Sequence, residues 1–303
     1  MRILVTGGAG FIGSHIVDAY VQAGHHVIVV DSLQHGFKKN VHPAARFYRV
    51  DVRNQTKLQQ IFITEKPDVV NHHAALSEVV ISMRDPDTTL DVNVLGTANV
   101  LRCATLAGTK KIIFASTGGT IYGNAKQLPT KETAPLEPIS AYAASKQLGE
   151  NWIQYYHRAF GLHYTIFRYG NVFGVRQDPH GEAGVVAIFA QQLSQHQPTT
   201  IFGQGDKTRD YIYIPDVVAA NILALQSGND QIYNLGLGKP ISDQVVYTTI
   251  AQHFPQSGKP HFKNIRAGEV MHTYINATKA RRDLGWKPHW SFATGVADYV
   301  ETI

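Results

Sequence analysis

The sequence predicts an α/β protein with a doubly wound parallel sheet in its first part and a smaller α/β portion after it. From residue 1 to about 168, short β-branched runs alternate with longer amphipathic stretches. Those runs are apolar almost throughout, as expected of strands covered by helices on both faces. Beyond Gly170 the alternation fades into loops rich in Gly, Pro, Gln and His. The strands expected are Arg2 to Thr6, His26 to Asp31, Arg46 to Val50, Asp68 to His72, Lys111 to Ser116 and His163 to Tyr169, with Thr199 to Phe202 and Gln231 to Leu235 further on. Residues 1–169 then form one domain, completed by segments within 208–236, and 170–303 a smaller one.

With 303 residues, 44% of them hydrophobic, the chain can bury a sizeable core. Its apolar runs are strand-sized, far short of the roughly 20 residues that span a bilayer, so no membrane segment is expected. A single cysteine, Cys103, rules out an internal disulfide framework and points to the cytoplasm. The net charge of +5 comes from scattered Lys and Arg rather than from a basic stripe. It argues against nucleic acid as a partner and suits an anionic small molecule. Histidines number fifteen, but with neither His-Glu-x-x-His nor a convergent Cys/His spacing, no metal site is expected.

Gly7-Gly8-Ala9-Gly10-Phe11-Ile12-Gly13 follows the first strand and opens a helical stretch. Glycines at 7, 10 and 13 allow a tight turn and let the backbone approach a pyrophosphate. The N–H groups of the helix start, at Phe11, Ile12 and Gly13, point at the anion. The next strand ends at Asp31, eighteen residues after Gly13, where a carboxylate, followed by Ser32, suits an adenosine ribose and repels a 2′-phosphate. The combination predicts a Rossmann-type fold binding NAD rather than NADP.

Two Tyr-x-x-x-Lys spacings occur. Tyr122 and Lys126 lie in a turn-forming stretch leading to Pro129, and their spacing reads as incidental. Tyr142 and Lys146 follow Pro138 and Ser140 in a run of helix formers, so they share a helix face. A free phenol has a pKa near 10; a neighbouring ammonium and a cationic nicotinamide stabilise its phenolate. Lowering it by about 3 pH units needs roughly 4 kcal/mol. Upstream, Phe114-Ala115-Ser116-Thr117-Gly118-Gly119 places hydroxyls at the end of a strand, on the sheet edge where doubly wound proteins bind ligands.

Glycine fingerprint, hydroxyl-bearing strand end and Tyr-x-x-x-Lys come in the order seen in the short-chain dehydrogenase/reductase family, whose catalytic unit is Ser/Thr, Tyr and Lys. From Val5 to about Trp286 the chain resembles its extended, nucleotide-sugar branch. The resemblance implies 4-epimerisation of a UDP-hexose: UDP-glucose and UDP-galactose, with the N-acetyl pair UDP-GlcNAc and UDP-GalNAc as further candidates. Tyr142 is then the base, Lys146 its electrostatic partner, and Thr117 or Ser116 the hydroxyl on the reacting oxygen, with Thr117 favoured.

Further matches imply Asp51 and Val52 at the adenine, Ala74 and Ala75 (with His73) under the pyrophosphate, Asn93 as a structural and cofactor-side contact, and Tyr169 beside the nicotinamide. For the substrate they imply Asn171 at the sugar diphosphate, Thr200 and Phe202 around the base, Arg209 and Arg266 on phosphate, and Glu269 on ribose. Thr273 falls where some relatives carry a bulky gate residue, with Tyr274 taking that place if the register slips by one. A homodimer joined through the Asp91 to Ala107 and Tyr142 to Phe160 helices is likewise implied. Related dehydratases carry Asp-Glu where this chain has Gly118-Gly119, which disfavours dehydration. Left open are a UDP-glucuronate epimerase or decarboxylase and, from another class, a non-catalytic NAD-binding regulator.

Overall fold

The computed structural model describes residues 1–180, 184–256, 258–265 and 270–303. Its main strands are β1 (Arg2–Thr6), β2 (His26–Asp31), β3 (Arg46–Arg49), β4 (Val69–His72), β5 (Lys111–Thr117), β6 (His163–Tyr169) and β7 (Gln231–Leu235). The helices that cover them are α1 (Phe11–Gln22), α2 (Gln55–Glu65), α3 (Gly96–Leu106), α4 (Ala141–Phe160) and α5 (Ile214–Leu223). All seven strands run parallel in one sheet, in the order β7-β6-β5-β4-β1-β2-β3. The chain builds outward from β1 through β2 to β3, then crosses over so that β4 pairs with the other edge of β1. That reversal opens a crevice at the carboxyl ends of β1 and β4, the place where doubly wound sheets take ligands.

Period-two alternation divides the apolar strand residues between two cores. Ile3, Val5, Val27, Val29, Ile113 and Phe167 pack with Val17 and Tyr20 of α1 and Val217 of α5. Leu4, Ile28, Val30, Ile112, Phe114 and Ile166 pack on the opposite face with Phe62 of α2, Val100 of α3 and Ile153 of α4. The continuous apolar runs in the sequence reflect this double burial. No helix among the described residues is long and apolar enough to cross a membrane.

Two departures from the expected elements bear on the site. β5 runs one residue further than expected and takes in Thr117. The expected Asp91 to Ala107 helix is a π turn, Asp91–Leu95, continued by α3. Past β6 the chain forms short pairs that lie off the main sheet: Tyr211–Tyr213 beside Asn171–Phe173, Thr208–Arg209 beside Ile241–Ser242, and Thr200–Phe202 beside His261–Lys263. Gln231–Leu235 returns to pair in parallel with β6.

An ion pair lies behind the carboxyl end of β5. Arg168 of β6 donates to both carboxylate oxygens of Glu150 on α4, at 2.9 and 2.6 Å, and the two side chains are 4% and 1% exposed. Arg168 also donates to the Tyr122 hydroxyl at 2.9 Å, which in turn donates to Asn234 of β7 at 2.7 Å. One network thus ties β6, α4, β7 and the loop after β5. Burying such a pair adds little net stability, but removing one partner strands the other charge and costs about 3–5 kcal/mol. Glu150→Gln should therefore lose about that much in chemical denaturation, and Glu150→Leu with Arg168→Met should recover part of it; a loss below about 1 kcal/mol for Glu150→Gln would show that the pair is not what holds these elements.

Candidate active site

The glycine turn between β1 and α1 is built by close approaches. Gly7 has φ +70°, and a Cβ there would stand 2.6 Å from the Ala74 nitrogen; one on Gly13 would stand 2.2 Å from the Gly7 oxygen. Neither position admits a side chain, and the first contact brings the turn against the Ala74–Ala75 loop after β4. Gly10 is the N-cap of α1 and no side chain caps the helix start, so the uncapped end at Phe11, Ile12 and Gly13 suits a phosphate.

Asp31, at the end of β2, is buried. Its Oδ2 accepts the Ala9 N–H at 3.0 Å and its Oδ1 the Leu33 N–H at 2.8 Å, which sets the carboxylate at the rim of the turn with Ser32 next to it. Asp51 follows β3 and pairs with Arg53 at 2.7 Å, while Val52 is buried against Gly96. Asn93 spends its amide on the protein: its oxygen accepts from the Leu76 N–H at 2.8 Å, and its nitrogen donates to the Leu76 oxygen and to Ser145 Oγ, each at 2.9 Å. It therefore holds the loop after β4 onto α4. A dinucleotide fits this crevice on three counts: a cradle that a Cβ would fill, a bare helix start, and a carboxylate at the neighbouring strand end.

Tyr142 and Lys146 sit one turn apart on α4. Ser140 caps that helix on the Ala143 N–H, and Ser82 accepts the Tyr142 N–H at 3.1 Å. The Thr117 hydroxyl faces the Tyr142 phenol and favours its ionised form, and it lies 3.1 Å from Thr120 Oγ1. Ser116 points the other way and donates to Glu150 at 2.6 Å. Successive strand residues face opposite sides, and because β5 includes Thr117 the two hydroxyls divide between cleft and ion pair. Of the two expected candidates, Thr117 is the one at the phenol and Ser116 belongs to the buried network. Tyr122, of the second Tyr-x-x-x-Lys spacing, belongs to the same network.

Burial pushes the Tyr142 phenol up to about 12, with the Thr117 hydroxyl opposing. Burial also pulls the Lys146 ammonium down to about 8, against the charge of Glu150. The expected pairing is not a direct contact: Lys146 Nζ is 6.0 Å from the centre of the Tyr142 ring and donates to the Ala115 oxygen at 2.8 Å. His72 and His73 are held down to about 3, first by burial and then by Lys146, and so stay neutral beside it. Tyr169 is buried with its hydroxyl accepting from Asn221 at 2.9 Å and its ring stacked on His73.

Asn171 reaches the same corner, since a Cβ on Gly119 would lie 3.0 Å from its Oδ1. Thr273 is buried, its N–H donates to the Thr208 oxygen at 3.1 Å, and it lines a small cavity with Tyr274 and the Gly118–Gly119 turn. Arg209 donates to the Thr208 and Met271 oxygens at 2.8 and 3.2 Å, and Thr200 and Phe202 flank Ile201 on a strand paired with His261–Lys263. Arg266 and Glu269 lie outside the described residues. Ser82, Ser145 and Glu150 were not singled out by sequence; only Glu150 left a trace there, as an acid four residues after Lys146 on the same helix face.

A family model of the NAD dependent epimerase/dehydratase family matches residues 3–236. The chain belongs to that family, and its cofactor is NAD. The UDP-glucose 4-epimerase of Mycolicibacterium smegmatis is 40% identical, over 99% of this chain and 98% of that protein. Among solved structures, UDP-glucose 4-epimerase of Thermotoga maritima with UDP-glucose superposes with a TM-score of 0.98 at 41% identity, covering 99% of this chain and 98% of that one. The Thermus thermophilus UDP-glucose 4-epimerase complex with NAD gives 0.95 at 39% identity, with the same coverage.

The two hydroxyls of β5 separate by substitution. Thr117→Val should cut turnover by about 10²-fold or more with little change in stability, whereas Ser116→Ala should leave the chemistry near normal and cost about 1 kcal/mol by removing one of the donors to the Glu150 carboxylate, which Arg168 still holds. Steady-state rates and denaturation midpoints on both variants check this, and the reverse pattern would return the role to Ser116.

Proposed function

We propose that this protein interconverts UDP-glucose and UDP-galactose by inverting C4 of the hexose through a transient 4-keto sugar, and that it also accepts the N-acetyl pair. The observation that carries the reading is the meeting of Thr117, Tyr142 and Lys146 at the end of β5, set against a Gly118–Gly119 turn with no acid or base of its own. A Cβ at Gly118 would stand 2.6 Å from Ile275 Cδ1 and 3.0 Å from the Arg168 oxygen. A side chain at Gly118 would press on the Ile275 side chain and the Arg168 carbonyl, and the turn carries neither carboxylate of a water-eliminating relative.

Gly7, Gly10, Phe11, Ile12, Gly13, Asp31, Ser32, Asp51, Val52, Ala74 and Ala75 would hold the dinucleotide, with Tyr169, Lys146 and Asn93 toward its nicotinamide end. Bound there, NAD supplies reversible hydride acceptance at a sugar carbon and a positive ring charge. Tyr142 takes the proton of the 4′-hydroxyl and returns it after inversion, and Thr117 orients the reacting oxygen. Bringing the phenol from about 12 to near neutrality takes about 7 kcal/mol of electrostatic stabilisation, to which Lys146 contributes when protonated. Arg209, Arg266 and Asn171 anchor the diphosphate, Glu269 the ribose, and Thr200 and Phe202 flank the base, so the hexose turns about a fixed UDP and presents its other face.

Anomeric-region proton NMR of the purified chain with UDP-glucose, and separately with UDP-N-acetylglucosamine, tests the proposal. Conversion of both to the galacto forms is expected, with Tyr142→Phe slower by about 10²–10⁴-fold. Thr273→Tyr should slow the N-acetyl sugar selectively by filling the cavity at the Gly118–Gly119 turn. Equal effects on both sugars would remove Thr273 as a gate. No conversion even with added NAD would sink the epimerase reading and turn attention to UDP-glucuronate.

The protein is further proposed to act as a homodimer. Leu148, Trp152 and Tyr155 repeat along one face of α4 and are 45%, 41% and 43% exposed, and Leu106 at the end of α3 is 64% exposed. An apolar stripe of this kind seeks a partner. Sedimentation velocity should find a dimer that Trp152→Arg converts to monomer; a monomeric unsubstituted chain would end the idea.

A further inference from the structure

At the opposite end of α4 from Tyr142, three donor groups from distant parts of the chain converge. His157 is on the last turn of α4, His163 begins β6, and Asp230 lies just before β7. One nitrogen or oxygen from each lies within 4.8 Å of the others. We propose that they form a binding site for a divalent transition-metal ion, with zinc the best chemical match.

The backbone builds this meeting independently of any ion. His157 continues the stripe of Lys146, Glu150 and Ile153 on the sheet-facing side of α4. Gly161, at φ +72°, caps the helix on the His157 oxygen and reverses the chain, so His163 returns beside His157 with ring centres 5.9 Å apart. Asp230 adopts φ 61° and donates its N–H to the Tyr164 oxygen at 2.6 Å, while its Oδ1 accepts the Tyr164 N–H at 3.3 Å. A non-glycine residue in the left-handed region is uncommon, and here it sends the carboxylate between the two imidazoles. Lys111, whose charge interacts with Asp230, is itself tied to the Ala224 and Ser227 oxygens at 2.6 Å.

Donor spacing and chemistry point to the same class of ligand. His157 Nδ1 is 3.2 Å from Asp230 Oδ1, and His163 Nδ1 is 3.0 Å from Asp230 Oδ2. Metal–nitrogen bonds near 2.0 Å at tetrahedral angles put neighbouring donors about 3.3 Å apart, close to the two imidazole–carboxylate spacings already present, with all three donors within 4.8 Å of one another. His157 Nδ1 is sealed from solvent and makes no hydrogen bond of acceptable geometry despite the nearby carboxylate, which is costly for a buried polar atom. An ion would satisfy it. Two neutral imidazoles and one carboxylate suit zinc, cobalt, nickel or copper over calcium or magnesium. Such an ion would clamp the ends of α4 and β6 to the segment leading into β7, a stabilising site remote from the cleft. The sequence hides it, because the third donor, Asp230, comes 67 residues after His163.

The test is zinc alone, by equilibrium dialysis against the chelator-treated full chain, with thermal unfolding in parallel. The expected result is one zinc per chain and a midpoint several degrees higher, with both lost by about tenfold or more in affinity in His163→Gln and in Asp230→Asn but kept in His253→Gln, which alters an exposed histidine elsewhere. Both test positions are partly exposed, so the variants should fold. Cobalt in place of zinc should give the visible bands of a tetrahedral site in the unsubstituted chain and in His253→Gln, but not in His163→Gln or Asp230→Asn. Absence of zinc uptake, uptake that survives His163→Gln and Asp230→Asn, or equal loss in His253→Gln would each overturn the proposal and leave a carboxylate shared by two imidazoles.

Discussion

Two adjacent hydroxyls at the end of β5 cannot point the same way, and the corner where β5 meets α4 is organised around that constraint. Ser116 turns back to the Glu150–Arg168 pair, and Thr117 turns forward to the Tyr142 phenol. The same strand end is therefore fixed from behind by a charge network and presents a hydroxyl in front. Because Glu150 lies on α4 as well, the helix that carries Tyr142 and Lys146 is referenced to the strand that carries Thr117 through the Ser116–Glu150 bond and through the Lys146 donation to the Ala115 oxygen. Errors in their relative placement are thereby limited to what two short hydrogen bonds allow, and catalytic geometry tolerates little more.

Burial acts on both members of the Tyr–Lys pair, and in opposite senses. It raises the phenol and lowers the ammonium, disfavouring the charged form of each. Direct contact does not offset this, since Lys146 donates to a strand carbonyl. The neighbouring histidines stay neutral and add no competing proton source. The closed site is thus electrostatically incomplete by itself, so a positively charged partner placed in the crevice has the largest effect on the phenol. On the proposed mechanism, this coupling is why a dinucleotide cradle and the Tyr142 phenol share one crevice.

Much of the fold was legible because double burial writes itself into the sequence as uninterrupted apolar runs, and β1, β2 and β6 fall on the expected residues. The glycine turn was legible for a related reason: backbone crowding at Gly7 and Gly13 excludes every other residue. What sequence left open was decided by one residue of strand length, since ending β5 at Ser116 or at Thr117 determines which hydroxyl meets the phenol. Hydrogen bonds from Asn93 to Ser145 and from the Tyr142 N–H to Ser82 join residues more than 50 positions apart. No local pattern encodes them. Segments within 208–236 were expected to complete the first domain, but which of them joins the sheet shows only in the pairing of Gln231–Leu235 with β6. Of the expected substrate contacts, Thr273 and Asn171 come to the Gly118–Gly119 turn, while Arg266 and Glu269 fall outside the described residues.

Asp31 both shapes the crevice and faces what enters it. Its oxygens already hold the Ala9 and Leu33 N–H groups, so the residue that would discriminate between dinucleotides is also a clasp on the loop that receives them. An engineer wishing to change cofactor preference by replacing this acid with a smaller or basic residue would loosen the glycine turn in the same stroke. A swap of preference here calls for a second substitution that supplies new acceptors for those two amides, and libraries that vary position 31 alone are searching where the scaffold is least forgiving.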